Sequence, residues 1–252
     1  GGMNALDLVV QAVGMGKLYL PVYYWGCYFQ MLTVRGIGNA EYLAQSDLEG
    51  MIPELQGNAV LICDPGNPLG EKYDDEEQFA LIRKLNDAGI TVFFDSPYRR
   101  IFHDRTDDYY QRLMALENVI ITESFSKSVG LSGQRLGFIH TTNRELHDEL
   151  EVRLMYCTNG VNAFAQQLIL RLLTTPEGIR AASDFKAATA RDIARNIEYL
   201  KERGLLAGEF YHASTPKGIF VVVNRTEEEL LAHRIGSVSL SFFTKSRKEE
   251  AS

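Results

Sequence analysis

Residues 119–140, with the sequence VIITESFSKSVGLSGQRLGFIH, carry the clearest structural pattern in this chain of 252 residues. Their first four residues form a mostly apolar run without polar alternation, which is typical of a strand buried on both faces of a sheet. A cluster of small and polar residues follows, and a second short run at 137–140 is a possible further strand. A buried strand that ends at a polar cluster is the unit from which the rest of the fold can be inferred.

The same unit occurs twice upstream. Residues 58–63 (NAVLIC) end at a turn-forming cluster, DPGNPLG, and residues 90–94 (ITVFF) end at DSPY. An amphipathic helix is predicted over 74–88, between these two strands. Buried strands separated by a helix indicate an α/β fold with a mostly parallel sheet and helices on both faces. Ligands of such sheets bind beyond the carboxyl ends of the strands, where all three polar clusters lie.

The remaining sequence predicts further elements and a division into two regions. Apolar spacing predicts helices over 4–13, 145–157, 164–173 and 176–203, and short strands over 18–20 and 218–223. We expect a large domain over residues 1–150. Residues 151–252 would hold the remainder of that domain and a smaller, partial C-terminal domain of the α+β type.

Composition limits the classes of function. With 26 basic and 33 acidic residues the formal net charge is −7, which argues against nucleic acid or an anionic membrane as a partner. The longest apolar runs are far shorter than the roughly 20 residues that a membrane span needs. The 3 cysteines are far apart and lack metal-ligand spacing. We therefore expect no metal site and no disulfide framework, and a reducing, cytoplasmic compartment.

The three polar clusters together resemble the motifs of the class I/II aminotransferases, a family of fold-type I pyridoxal phosphate enzymes. The family patterns are N-P-x-N-P-T-G, D-x-x-Y and S-x-S-K-x-x-G-x-x-G-x-R-x-G, and segments similar to them occur in the same order at 64–70, 95–98 and 124–137. The resemblance implies pyridoxal 5'-phosphate as the cofactor and transfer of an amino group between an amino acid and a 2-oxo acid. It also implies a homodimer, because family sites form between subunits.

The resemblance and the chemistry of the cofactor together indicate the catalytic residues. Lys127 would hold the cofactor as an aldimine, which requires an amine nucleophile. Asp95 would keep the ring nitrogen protonated, since a nearby buried carboxylate favours the positive charge. Asn67 and Tyr98 match the positions that donate to the ring's phenolic oxygen. Lys127, Asp95 and Tyr98 are thus the predicted catalytic residues, and these three together with Asn67 would contact the cofactor.

The cofactor phosphate is expected to lie between the lysine motif and the first predicted helix. Ser124 and Arg135 match the family's phosphate ligands, and an arginine fork suits phosphate oxygens. Gly2, Met3 and Asn4 open the helix, and a helix N-terminus is a ready anion site. In the family this segment supplies amide groups that bind the phosphate.

An aromatic side chain is expected to stack on the cofactor ring. Tyr23 lies two residues after Pro21, where the resemblance places this aromatic residue. Tyr24 and Trp25 compete for the same role, and a core position is the alternative for all three.

The sequence departs from the family at several positions. Leu69 stands where the family has threonine, and Ser96 where it commonly has glutamate. The family's C-terminal V-R-x-S-F segment supplies an arginine for the substrate carboxylate, but here Ser239 occupies that position and Arg234 is out of register. Gly1 also leads directly into a helical pattern, as if cut from a longer protein. We therefore expect a truncated or divergent member.

Two alternatives stay open at this point. The same cofactor and fold could serve a lyase, cyclase or oxidase, because cofactor motifs do not choose among these outcomes. The chain could also be a non-catalytic, aminotransferase-like regulatory domain, although the sequence shows no appended helix-turn-helix.

Overall fold

A computed structural model of the chain describes residues 1–103, 107–211 and 215–247. The strands are β1 Lys17–Pro21, β2 Gly38–Tyr42, β3 Ala59–Cys63, β4 Thr91–Asp95, β5 Val119–Ser124 and β6 Gly137–His140. The α-helices are α1 Gly2–Ala12, α2 Cys27–Arg35, α3 Ile52–Leu55, α4 Asp75–Asp87, α5 Arg99–Phe102, α6 Tyr109–Met114, α7 Phe125–Ser128, α8 Arg144–Thr158, α9 Ala163–Thr174, α10 Pro176–Glu202, α11 Gly208–Tyr211 and α12 Glu227–Ala232. Short 3-10 helices cover Gln45–Asp47, Ser132–Gln134 and Leu240–Phe243. Within these described ranges, no helix combines the length and the apolar character needed to cross a bilayer.

Within the described residues, the strands form one six-stranded sheet in the order β2-β1-β3-β4-β5-β6. Neighbouring strands from β2 to β5 are parallel, and β6 at the edge is antiparallel to β5. Every residue of β3 and β5 is buried, as expected for strands without polar alternation. The predicted α/β fold with a mostly parallel sheet is confirmed.

Helices cover both faces of this sheet. On one face, α1, α2 and α8 bury apolar side chains against Leu61 and Phe93. On the other face, α4 and α6 pack against Ile62 and Phe94. Because consecutive side chains of a strand point to opposite faces, β3 and β4 contribute to both cores. Full burial of such a side chain contributes about 1.5–3 kcal/mol, so the central strands fix the sheet edge that follows them.

One strand, β2, was not predicted from the sequence. Its sequence, GNAEY, has no apolar run, and Tyr42 is its one buried residue. Among the described residues, β2 lies at the edge of the sheet and β1 is its one partner strand. Backbone pairing with its neighbour, rather than composition, therefore makes this segment a strand.

The predicted strand over 218–223 is wrong. The Gly218 N–H donates to the carbonyl oxygen of Gly70 at 2.9 Å, so this backbone bonds to a loop rather than to a sheet. Val223 forms only an isolated antiparallel bridge with Leu206. In the described C-terminal part the structure is helical with extended connections, and the expected smaller α+β region is not confirmed.

The predicted domain boundary falls inside α8. Leu150 of this helix is buried in the same core as Leu6 of α1. All strands of the sheet lie before α8 in the sequence. The division into residues 1–150 and 151–252 stays a prediction.

Candidate active site

The three polar clusters meet at one edge of the sheet. β3, β4 and β5 are parallel neighbours, so their carboxyl ends lie side by side. In the register of the sheet, Asp95 of β4 lies beside Thr122 of β5. The segments that leave these strands carry Asn67, Tyr98 and Lys127. The predicted catalytic residues therefore share the edge where ligands bind in such sheets.

Asp95 is a buried carboxylate bound by two hydroxyl donors. The Tyr28 hydroxyl donates to Oδ2 at 2.5 Å, and the Thr122 hydroxyl donates to Oδ1 at 2.8 Å. Burial raises the pKa of Asp95, and these two hydrogen bonds offset part of that rise. Asp95 is thus fixed in position and orientation before any ligand binds.

Both donors to Asp95 were missed from the sequence. Tyr28 lies 67 positions upstream, and no local pattern links it to Asp95. Thr122 could have been predicted, because aligning the ends of two adjacent parallel strands places it beside Asp95. The signal for Thr122 was therefore its place at the end of a predicted buried strand.

Asn67 and Tyr98, predicted to act on the same cofactor atom, lie together. Nδ2 of Asn67 donates to the Tyr98 hydroxyl at 3.1 Å. The residues are only 7% and 6% exposed. Oδ1 of Asn67 is buried and has no hydrogen-bond partner among the described residues. A buried acceptor without a hydrogen bond costs free energy, so a ligand group that donates a hydrogen bond would be favoured beside this atom.

The start of α1, the end of β5 and the start of β6 form a narrow cradle. A Cβ atom built on Gly137, the first residue of β6, would lie 2.8 Å from the backbone nitrogen of Gly2, so α1 and β6 approach as closely as glycine allows. A Cβ on Gly2 would lie 3.1 Å from Cβ of Ser124. Met3 and Asn4 follow in the first turn of α1, where backbone N–H groups lack intrahelical acceptors. This is the arrangement that an anion site needs.

Arg135 lies beside the cradle. A Cβ built on Gly1 would be 2.9 Å from Nη2 of Arg135, and Nη1 donates to the Ser132 carbonyl at 2.9 Å. Arg135 has a φ of 53°, in the left-handed region, which re-aims the chain between Ser132–Gln134 and β6. The structure thus brings Arg135, Ser124 and the start of α1 together, and phosphate binding by them stays a prediction.

Lys127 lies on the short helix α7, directly after β5. Ser124 caps this helix, because its hydroxyl accepts a hydrogen bond from the Ser126 N–H at 3.1 Å. The Lys127 residue is exposed, whereas Asp95 on the neighbouring strand is buried. Lys127 therefore sits at the correct edge of the sheet, and its role as the anchoring amine stays a prediction.

The three competing aromatic residues have different surroundings. The Tyr23 ring packs edge-to-face on Phe210, with centroids 5.4 Å apart. The Trp25 ring packs edge-to-face on Tyr28, the donor to Asp95, at 5.6 Å. Tyr24 is buried. The contact through Tyr28 ties Trp25 to the Asp95 cluster, and stacking of Tyr23 on a cofactor stays a prediction.

A C-terminal segment adds an apolar wall to the site. The Phe220 ring packs edge-to-face on Tyr98, with centroids 5.6 Å apart. The Tyr211 hydroxyl donates to the Leu69 carbonyl and accepts from the Val222 N–H, so it ties this segment to the Asn67 loop. Phe220 was missed as a site residue because its apolar run predicted a strand.

The segment that holds Ser239 lies next to the aromatic stretch after β1. The Tyr24 N–H donates to the Phe243 carbonyl at 2.8 Å. The Ser239 hydroxyl accepts from the Ser241 N–H at 3.3 Å and so caps a 3-10 helix. Arg234 is exposed, with a φ of 62°. The side chain at the family's arginine position is therefore a helix cap in this chain.

Similarity to known proteins extends over nearly the whole chain. A family model described as "Aminotransferase class I and II" matches residues 1–249. A probable LL-diaminopimelate aminotransferase of Oryza sativa subsp. japonica is 29% identical over 163 residues, which cover 60% of this chain and 35% of that protein. A histidinol-phosphate aminotransferase of Christiangramia forsetii is 28% identical over 193 residues, which cover 71% of this chain and 52% of that protein. The matched part thus amounts to about a third to a half of these curated relatives.

Solved structures share the fold. A tetra mutant of Thermus thermophilus aspartate aminotransferase superposes with a TM-score of 0.79 at 21% sequence identity. The superposition covers 96% of this chain and 70% of the Thermus chain. The mostly parallel sheet and its helices are therefore arranged as in that enzyme.

Proposed function

We propose a function from the premise that this chain belongs to the class I and II aminotransferase family, whose model matches residues 1–249. Members of this family use pyridoxal phosphate. We infer that the chain moves an amino group between an amino acid and a 2-oxo acid. One observation carries the proposal: the three polar clusters converge at the carboxyl ends of β3, β4 and β5.

The residues at this edge suit pyridoxal phosphate. A buried carboxylate such as Asp95 favours a protonated ring nitrogen. The Tyr98 hydroxyl and the amide nitrogen of Asn67 are donors suited to the phenolic oxygen, whereas the orphaned Oδ1 of Asn67 would accept a hydrogen bond from a donor group of a ligand. A Cβ on Gly2 would lie only 3.1 Å from Cβ of Ser124, so the cradle leaves little room for a side chain there, and Arg135 beside it would supply a cation for the phosphate.

Each residue would then have a defined task. When bound, the cofactor supplies an electron sink for the charge left on the substrate Cα. Lys127 would hold the cofactor, and its amine, once displaced by substrate, would act as the general base for the Cα proton. Asp95 would stabilise the positive charge of the ring nitrogen, and Tyr98 would donate to the phenolic oxygen.

Transamination is favoured over the lyase, cyclase and oxidase alternatives. The matched family model and both curated relatives are aminotransferases. A regulatory role is less well supported, since those relatives bear the names of enzymes. A homodimer and a cytoplasmic location complete the proposal, and three free thiols suit a reducing compartment.

The experiment follows the amino nitrogen. The chain is incubated with pyridoxal phosphate, a panel of ¹⁵N-labelled amino acids and a panel of 2-oxo acids, and products are identified by mass spectrometry. We expect the label to appear in a new amino acid with the carbon skeleton of an added 2-oxo acid. The Lys127→Ala variant should lose this transfer, and the Lys201→Ala variant, at another exposed lysine, should keep it. Release of labelled ammonia without transfer would instead indicate a lyase or oxidase.

A further inference from the structure

Arg99, the residue after Tyr98, is fully buried between two carboxylates. Its Nη1 and Nη2 donate to the two oxygens of Asp75, each at 2.9 Å. Its Nε and Nη2 donate to the two oxygens of Asp107 at 2.9 and 2.7 Å. The guanidinium also lies 4.2 Å above the centre of the Tyr109 ring. Two bidentate ion pairs and contact with an aromatic ring fix this side chain in one orientation.

The same network reaches the loop that carries Asn67. Lys72 binds Asp75 at 2.6 Å and Asp64 at 3.1 Å. The Tyr73 N–H donates to the other oxygen of Asp64 at 3.1 Å. Asp64 directly follows β3 and lies three residues before Asn67. A chain of ion pairs thus connects the start of the Asn67 loop with Arg99.

Arg99 and Asp64 therefore tie down the two backbones that meet in the Asn67–Tyr98 hydrogen bond. That bond joins groups 31 positions apart in sequence and depends on how the two loops are held. Burying an Arg99-type ion pair adds little net stability, because desolvation offsets the attraction. A structural role alone does not explain why the buried cation adjoins Tyr98.

We propose that Arg99 is a positioning residue for the site: it holds the Tyr98 hydroxyl on Asn67, in the place from which both act on the phenolic oxygen of the cofactor. This role rests on the proposed function. Burial alone would raise the pKa of Asp75, but hydrogen bonds from Arg99 and Lys72 outweigh it and lower that pKa. The Arg99–Asp75 contact consequently stays ionic across the pH range in which an enzyme works.

The test measures the pH midpoint of the absorbance of bound pyridoxal phosphate. Arg99→Met and Tyr98→Phe are compared singly and combined in the full chain. Donors to the phenolic oxygen stabilise its anionic form, so their loss raises the midpoint. We expect Arg99→Met to raise it by about one pH unit, a tenfold change in proton affinity. In the Tyr98→Phe background, Arg99→Met should raise the midpoint much less, because the hydroxyl that Arg99 holds in place is absent.

Two further variants separate positioning from general loss of an ion pair. Nη1 and Nη2 of Arg112 also donate to the two carboxylate oxygens of Glu76, at 2.5 and 2.8 Å. The Arg112 guanidinium lies 4.3 Å from the centre of the Phe79 ring, and the residue is not adjacent to Tyr98. Arg112→Met should leave the midpoint unchanged. Arg99→Lys keeps the positive charge but loses the bidentate hydrogen bonds of the planar guanidinium. Its midpoint should therefore lie between those of the wild type and Arg99→Met.

The outcomes are distinct. An unchanged midpoint in folded Arg99→Met protein, or equal shifts with and without the Tyr98 hydroxyl, overturns the positioning role. If Arg99→Met does not fold, Asp107→Asn weakens one bidentate ion pair and should raise the midpoint by a smaller amount; no shift there overturns the role as well. Failure of the wild-type chain to bind pyridoxal phosphate would overturn the proposed function itself, before any variant is compared.

Discussion

At the scale of single residues, the site depends on how Asp95 is fixed. A carboxylate that is buried without donors takes up a proton, and the Tyr28 and Thr122 hydroxyls oppose this. Tyr28 is itself fully buried, on α2, and Thr122 lies in the neighbouring strand. The charge state of Asp95 is thus set by two elements that the local D-x-x-Y pattern does not include.

Removing the Tyr28 hydroxyl should destabilise the fold more than removing a comparable neutral hydrogen bond. Tyr28→Phe is expected to cost about 1.5–3 kcal/mol of the free energy of unfolding at a pH above the raised pKa of Asp95, because its acceptor is ionised there. Tyr42→Phe is the matched control: Tyr42 is also buried but donates to a neutral acceptor, the Leu61 carbonyl, at 2.9 Å. Its expected cost is about 0.5–1.5 kcal/mol.

The measurement is urea unfolding of both variants across a pH series. The difference between them should shrink as the pH falls through the raised pKa of Asp95, since protonation makes that acceptor neutral too. Equal losses at every pH would show that Asp95 carries no charge in the folded chain.

At the scale of elements, charged contacts join the loops that follow β3 and β4. Asp75 opens α4, Arg99 opens α5, and Asp107 lies just before α6. Burial alone would raise the pKa values of Asp75 and Asp107, but the Arg99 hydrogen bonds lower both. A carboxyl with a lowered folded pKa stabilises the fold above its unfolded pKa, about 4, and loses that contribution as the pH falls.

The double variant Asp75→Asn/Asp107→Asn should therefore be less sensitive to acid than the wild type. It starts with a lower free energy of unfolding near neutral pH and loses less of it as the pH falls below about 4, because two of the titrating groups are gone. Asp87→Asn, at an exposed carboxylate, is the control and should follow the wild type. Parallel stability curves for the wild type and the double variant, measured by urea unfolding, would rule out this acid dependence.

Elements with strong local signals could be predicted, and those that depend on distant partners could not. β3, β4 and β5 are continuous apolar runs buried on both faces, so their sequence determines their structure. β2 is a strand because β1 pairs with it, whereas 218–223 is not one because no strand among the described residues pairs with it beyond the isolated bridge at Val223. An apolar run shows that a segment is buried, and its partner decides whether it becomes a strand.

At the scale of the whole molecule, topology explains why separate motifs form one site. β3, β4 and β5 are parallel neighbours, so the segments that follow them lie at one edge of the sheet. The motifs at 64–70, 95–98 and 124–137 therefore converge although they are far apart in the sequence. This convergence could be predicted. The Tyr28–Asp95 bond, the Phe220–Tyr98 contact and the buried Arg99 could not, because each joins segments that approach only in the folded chain.

Covalent attachment of pyridoxal phosphate at one lysine is the most direct test of the proposed site. The chain is mixed with pyridoxal phosphate, reduced with borohydride, digested and examined by peptide mass spectrometry. We predict one modified peptide, containing Lys127, which disappears in Lys127→Ala and persists in Lys201→Ala. Modification spread over exposed lysines, or unchanged when Lys127 is replaced, would contradict the assignment of Lys127 as the residue that holds the cofactor.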